Sequence, residues 1–188
     1  MRLLPLLVLL ASAACAADNH GPVSDVTTAS GATIHTAINP AATFDRYRTF
    51  SFGPAEGPPA GYQMSPRSAE VRRRLQPLIT AALVQKGYAA VPDKGDLLVM
   101  FGSGLRDTSA PSVSSVSAGW LPDDENADFV EGSLVIDAFD GPSANRVWHG
   151  ASRASINPDK IDDQRLQSSV QELLAAFPAA SAPVPAHP

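Results

Sequence analysis

Ser133-Leu134-Val135-Ile136-Asp137-Ala138-Phe139-Asp140, then Gly141-Pro142-Ser143-Ala144, then Asn145-Arg146-Val147-Trp148-His149-Gly150, is the stretch that decides the fold. In the first run Leu134, Ile136 and Ala138 alternate with the residues between them, the period of a strand with one buried face. Asp140-Gly141-Pro142-Ser143 is turn chemistry: an Asx side chain that bonds its own backbone, a permissive glycine and a proline with a preset φ. The second run, Asn145 to Ser155, brings Val147 and Trp148, with Ile156 just beyond. Two such runs around so short a turn predict an antiparallel hairpin.

Working outward, Thr33 to Ile38 reads as a strand with Ile34 and Ile38 on one face, stopped by Asn39-Pro40. Arg48-Thr49-Phe50-Ser51-Phe52 alternates with both phenylalanines inward, and a short strand is expected at Tyr88 to Val91. Asp96 to Ser103 contains Leu97-Leu98-Val99-Met100-Phe101, apolar on both faces, as suits a central strand. Val71, Leu75, Leu78, Ile79, Ala82 and Leu83 form one apolar helical stripe between a Ser65-Pro66 start and a Lys86-Gly87 stop. Pro77 lies inside that helix and predicts a kink near Arg73 to Pro77. A second helix, starting at Asp162 or Asp163 and ended by Pro178, aligns Leu166, Val170, Leu173, Leu174 and Phe177. The order β-β-α-β-β-β-β-α predicts an α+β fold. It is a mostly antiparallel sheet of five to six strands with two amphipathic helices packed on one face.

The chain has 188 residues, 44% of them hydrophobic, which suits one domain. Asp plus Glu outnumber Lys plus Arg by 19 to 14, so a uniformly basic nucleic-acid binder is not expected. Cys15 is the single cysteine, which excludes a disulfide framework within the chain. The first 14 residues, with Arg2 ahead of the apolar run Leu3 to Leu10, have the layout of a secretory signal too short to span a bilayer. Ala11-Ser12-Ala13-Ala14-Cys15 resembles a bacterial lipobox, which makes Cys15 the expected lipid attachment point. Ordinary cleavage at Ala14-Cys15-Ala16 is the rival. In the lipoprotein reading Ala16 beside the cysteine implies sorting to the outer membrane. The acidic surface has no general attraction for anionic headgroups, so the membrane would be met through lipid alone. Residues 15–31 are expected to be a flexible tether, 32–177 the single domain, and 178–188 a disordered Pro/Ala-rich tail.

Several segments together resemble domain-of-unknown-function family 4136, a group of bacterial envelope lipoproteins. Phe44-Asp45-Arg46-Tyr47-Arg48-Thr49-Phe50 is similar to its opening F-x-x-Y-x-T-F. Lys86-Gly87-Tyr88 with Asp96-Leu97-Leu98-Val99 is similar to its kGy…DLLV segment. Glu131 to Asp137 with Val147-Trp148-His149-Gly150 resembles its hairpin, and Leu173 to Pro178 its close. His149 stands where arginine is commoner, and Pro77 is a further departure. The resemblance implies a secreted α+β domain and no particular activity.

No catalytic set is assigned. Gly102-Ser103-Gly104 is not a nucleophile elbow, and His20 and His187 lie near the chain ends, leaving His35 and His149 on strands. A polymer hydrolase using Asp96 or Asp137 with His149 is the least favoured reading. No metal is assigned: Asp123 to Asp128 lacks the order of a calcium loop, and no cofactor is expected. Arg72-Arg73-Arg74 spans about 200° of a helix, a collar and not a patch. If Leu134, Ile136 and Ala138 meet the helices, Val135 and Phe139 point the other way, joined by Leu98 and Met100 in one of two registers. An apolar far face of this kind is a binding patch unless the Leu105–Asp128 connection covers it. The leading expectation is a non-enzymatic, lipid-anchored envelope protein that binds an envelope partner there. The alternative is a periplasmic carrier of an apolar small molecule or lipid, held between that face and the connection.

Overall fold

In the computed structural model, residues 23–107, 130–158, 160 and 162–181 are described. The hairpin is its centre. Strands β6 (Val130–Asp140) and β7 (Arg146–Ile156) pair antiparallel along their length, with an irregularity between Ala138 and Phe139 where Val147 is the extra residue. On their outer flanks lie β2 (Thr33–Ile38), paired with β7, and β5 (Leu97–Asp107), paired with β6. The sheet runs β1-β2-β7-β6-β5-β3-β4, with β1 (Val23–Thr27), β3 (Thr49–Phe52) and β4 (Ala89–Ala90) completing it. All pairs are antiparallel except β3 with β5 and with β4. Parallel neighbours need a crossover, and α1 (Ser68–Gln85) supplies it.

Seven strands stand where five to six were expected, because part of the predicted tether is structured. Val23 to Thr27 pairs residue by residue with β2, and Gly31, at φ 79°, turns the chain between the two. The opposite end needs the same correction. Pro178 and Ala180, assigned to the tail, are docked: the Ala180 amide donates to the Lys86 carbonyl (2.8 Å), and the Tyr88 hydroxyl to Pro178 (3.1 Å). Burial pushes the Tyr88 phenol up to about 12. Cys15, His20, His187 and the acidic run at 123–128 lie outside the described residues, as does most of the expected long connection, now 108–129.

Both helices bury the stripes their sequences carry. Leu75, Ile79 and Leu83 of α1 are buried, as are Val170, Leu173 and Leu174 of α2 (Asp163–Ala175). They meet Leu97, Val99, Phe101, Leu134, Ile136, Ala138 and Trp148 in one core. Each such aliphatic side chain contributes about 1.5–3 kcal/mol on leaving water. Asp162 caps α2, accepting from the amides of Gln164 and Arg165. In α1 the expected Ser65 start gives way to Ser68, since Gln63 is still held extended by a bridge to Leu105. The helix is continuous through Pro77, which is solvent-exposed. Arg74 bonds Asp163 near one end of the helix pair and Lys86 bonds the Ala175 carbonyl at the other, so the two helices run side by side in the same direction.

Candidate functional site

Two places deserve a chemical reading: the sheet face away from the helices, and the space between the helices and the outer half of the long strands. On the first, the register puts Leu98 opposite Phe139 and Met100 opposite Asp137, with Val135 opposite Gly102. Leu97, Val99 and Phe101 turn to the helices, which resolves the choice of register left open by the sequence. Leu98, Met100, Val135 and Phe139 are all partly buried. The cover on this face includes the segment between β3 and α1. A Cβ on Gly102 would lie 2.5 Å from the Gly57 carbonyl, and one on Gly104 would lie 2.7 Å from the Tyr62 side chain. These glycines admit the segment by close approach.

The rest of this face is charged. His149 Nδ1 lies 2.8 Å from Asp137 Oδ1, which also accepts from Arg146 at 3.4 Å. His35 Nδ1 lies 2.7 Å from Asp25 Oδ1, and the two imidazoles stand 6.0 Å apart edge to face. Tyr62 and Arg106 both donate to Glu131, and the Arg106 guanidinium sits over the Tyr62 ring. Burial, reinforced by the Asp137 charge, raises the Glu56 carboxyl above its ordinary range. Of the residues named for a hydrolase, Asp137 and His149 therefore meet. Asp96 does not join them: its Oδ2 accepts from the amides of Arg48 (2.8 Å) and Thr49 (2.9 Å). Burial pushes that carboxyl up, but these bonds outweigh it and hold it below the usual range. The arginine run is divided. Arg72 lies over the Phe101 ring, Arg74 bonds Glu70 and Asp163, and Arg73 is exposed.

The second place was not expected. A cavity of about 400 Å³ opens between the N-terminal halves of α1 and α2 and the outer halves of β5, β6 and β7. Its walls include Val71, Leu75, Leu105, Leu134, Ile156 and Leu166. The cause is side-chain size. Where the inner half of the sheet offers Phe101, Ile136 and Trp148 to the helices, the outer half offers Ser103, Gly132, Ser152 and Ala154. Small residues on the floor leave a space that packed interiors do not otherwise keep. The predicted ligand space lay on the opposite face. No group of three or more His, Cys, Asp or Glu among the described residues is placed to hold a metal ion.

The sequence matches the family described as Domain of unknown function (DUF4136) over residues 34–179. The chain belongs to this family. The structure is similar to a PDZ domain protein from Parabacteroides distasonis, at 12% identity and a TM-score of 0.52, over 87% of this chain and 36% of that one. That likeness is one of fold. A DUF4136 family protein from Bacteroides thetaiotaomicron aligns at 12% identity and a TM-score of 0.48, over 85% of this chain and 96% of that one. PelC from Paraburkholderia phytofirmans, a dodecamer, aligns at 10% and 0.49, over 80% of this chain and 99% of that one. The search of curated proteins returned no match.

Proposed function

We propose that this chain is a non-enzymatic, lipid-anchored protein of the cell envelope whose domain is a binding module for an apolar molecule. The cavity between helices and sheet carries the reading: its volume falls in the range of small-molecule sites, and Val71, Leu75, Leu105, Leu134, Ile156 and Leu166 give it an aliphatic wall beside polar groups. The lipobox-like Ala11 to Cys15 supports the anchor, and Ala16 supports the periplasmic side of the outer membrane. Among the described residues no serine, threonine or cysteine side chain hydrogen-bonds to His149, which supports a structural role for the His149–Asp137 pair. Native mass spectrometry of the purified protein tests the module. A co-purified apolar adduct is the expected result, and its repeated absence removes the carrier reading. The mass of the mature N-terminus, with [³H]-palmitate labelling of wild type against Cys15→Ala, tests the anchor. Equal labelling removes it.

A second reading places an envelope partner on the far face, favoured by the neighbouring Leu98 and Phe139 there. Crosslinking in intact cells followed by mass spectrometry tests it, with crosslinks expected beside these strands. A chain that is always partnerless ends it.

A further inference from the structure

We infer that the cavity takes a single acyl chain bearing an anionic head, the tail among the aliphatic walls and the head at the opening. This deepens the carrier reading and rests on it. The tail half of the argument is the volume and the aliphatic lining already described. The head half comes from the charged groups around the cavity, which among the described residues are three cations and one carboxylate, set beside serines and an asparagine. Arg67, Lys160 and Arg165 contribute to the lining, and Lys160 and Arg165 are exposed, as the edge of an opening requires.

The distribution of their partners favours an anion from outside. Arg67 donates to Glu70 at 3.2 Å, an ion pair at the start of α1. Arg165 donates through one nitrogen to the Ser155 carbonyl at 2.6 Å, which fixes the guanidinium beside the end of β7 and neutralises none of its charge. Lys160 makes no ion pair among the described residues. Among the described residues the single carboxylate in the lining is Asp162, which accepts from two amides at the start of α2 and keeps its charge. Among the described residues the lining thus carries three cations against one carboxylate, an excess of positive charge even with Arg67 paired to Glu70. A long apolar body ended by a carboxylate or phosphate satisfies both the walls and the edge, whereas a neutral or cationic amphiphile satisfies only the walls.

The test uses the whole mature chain as Cys15→Ser, handled without detergent, in isothermal titration calorimetry. Octanoate, decanoate and dodecanoate are expected to bind one to one, each added methylene tightening binding roughly fourfold. Dodecanol is expected to bind about tenfold more weakly than dodecanoate. The double variant Lys160→Gln, Arg165→Gln alters exposed residues only, and should bring dodecanoate to the level of dodecanol while leaving dodecanol unchanged. Ala154→Phe, checked for an unaltered circular dichroism spectrum, should abolish binding of all. Lysophosphatidylglycerol with a twelve-carbon chain separates the two head chemistries. Tighter binding than dodecanoate assigns a phosphate head, and weaker binding a free carboxylate. Dodecanol equal to dodecanoate, or a rim variant without effect, overturns the anionic head and leaves the carrier reading standing. If none of these amphiphiles binds, both fall.

Discussion

Asp140 ends β6 and ties three separate pieces of backbone together. Its Oδ1 accepts from the Ser143 amide and hydroxyl at 2.8 and 2.7 Å, closing the hairpin turn, while its Oδ2 accepts from Tyr47 at 2.9 Å and from Arg46. Asp140→Asn is expected to destabilise the fold by about 2 kcal/mol, as charge-assisted bonds are lost from a buried position. Urea denaturation at pH 7 measures it. The bonds from Ser143, with those from Tyr47 and Arg46, hold the carboxyl at about 2, below its ordinary 3.8. A depressed folded value means the contribution is full above pH 4 and disappears as pH falls from about 4 to 2. Urea midpoints across that window should fall more steeply in wild type than in the variant. Gly150 is the other residue on which much depends. A Cβ there would stand 2.1 Å from the buried Trp148 ring and 2.9 Å from Leu173. Gly150→Ala should cost about 1–3 kcal/mol through overpacking, seen as a lowered Tm.

Among the elements, those legible in the sequence are the ones whose own periodicity matches their burial. The β6–β7 hairpin and both helices fall into this group, since Leu134, Ile136 and Ala138, or Val170, Leu173 and Leu174, repeat at the spacing of the face they bury. β1 was not legible. Its five residues, VSDVT, are mostly polar, and as an edge strand it is specified by the backbone of β2 and by the Asp25–His35 contact, not by an apolar pattern. The same holds for the segment over Gly102 and Gly104, which is rich in proline and glycine and has no period at all. Gly102→Ala should displace it, because the methyl would meet the Gly57 backbone, which has no rotamer to yield. Faster amide exchange confined to about residues 54–63 is the expected readout, with α2 unchanged. For α2 itself, Asp162→Ala should cost about 1 kcal/mol by removing the cap on two amides, again measured in urea.

At the scale of the molecule, the fold class was legible because it follows from counting amphipathic pieces and hiding their stripes. The cavity was not, since its existence depends on small residues from three strands meeting the ends of two helices, a coincidence of volumes that no single segment records. Fractionation gives the prediction that belongs here. If Cys15 carries lipid, Cys15→Ala should move the protein from the membrane to the soluble fraction with an unaltered Tm, since residue 15 precedes every described element.

Val23 pairs with Ala37, which pairs with His149, while the cavity is reached near Ala154 and Ile156, roughly 20 Å further along the sheet at about 3.3 Å per residue. The C-terminal segment also docks away from the cavity, with Ala180 against Lys86 at the far end of α1. The start of β1 and the doorway are therefore set well apart along the strands. A copy fastened to a surface through the residues before Val23, and resting with the start of β1 toward that surface, would hold its doorway on the aqueous side, free to accept cargo from a soluble donor.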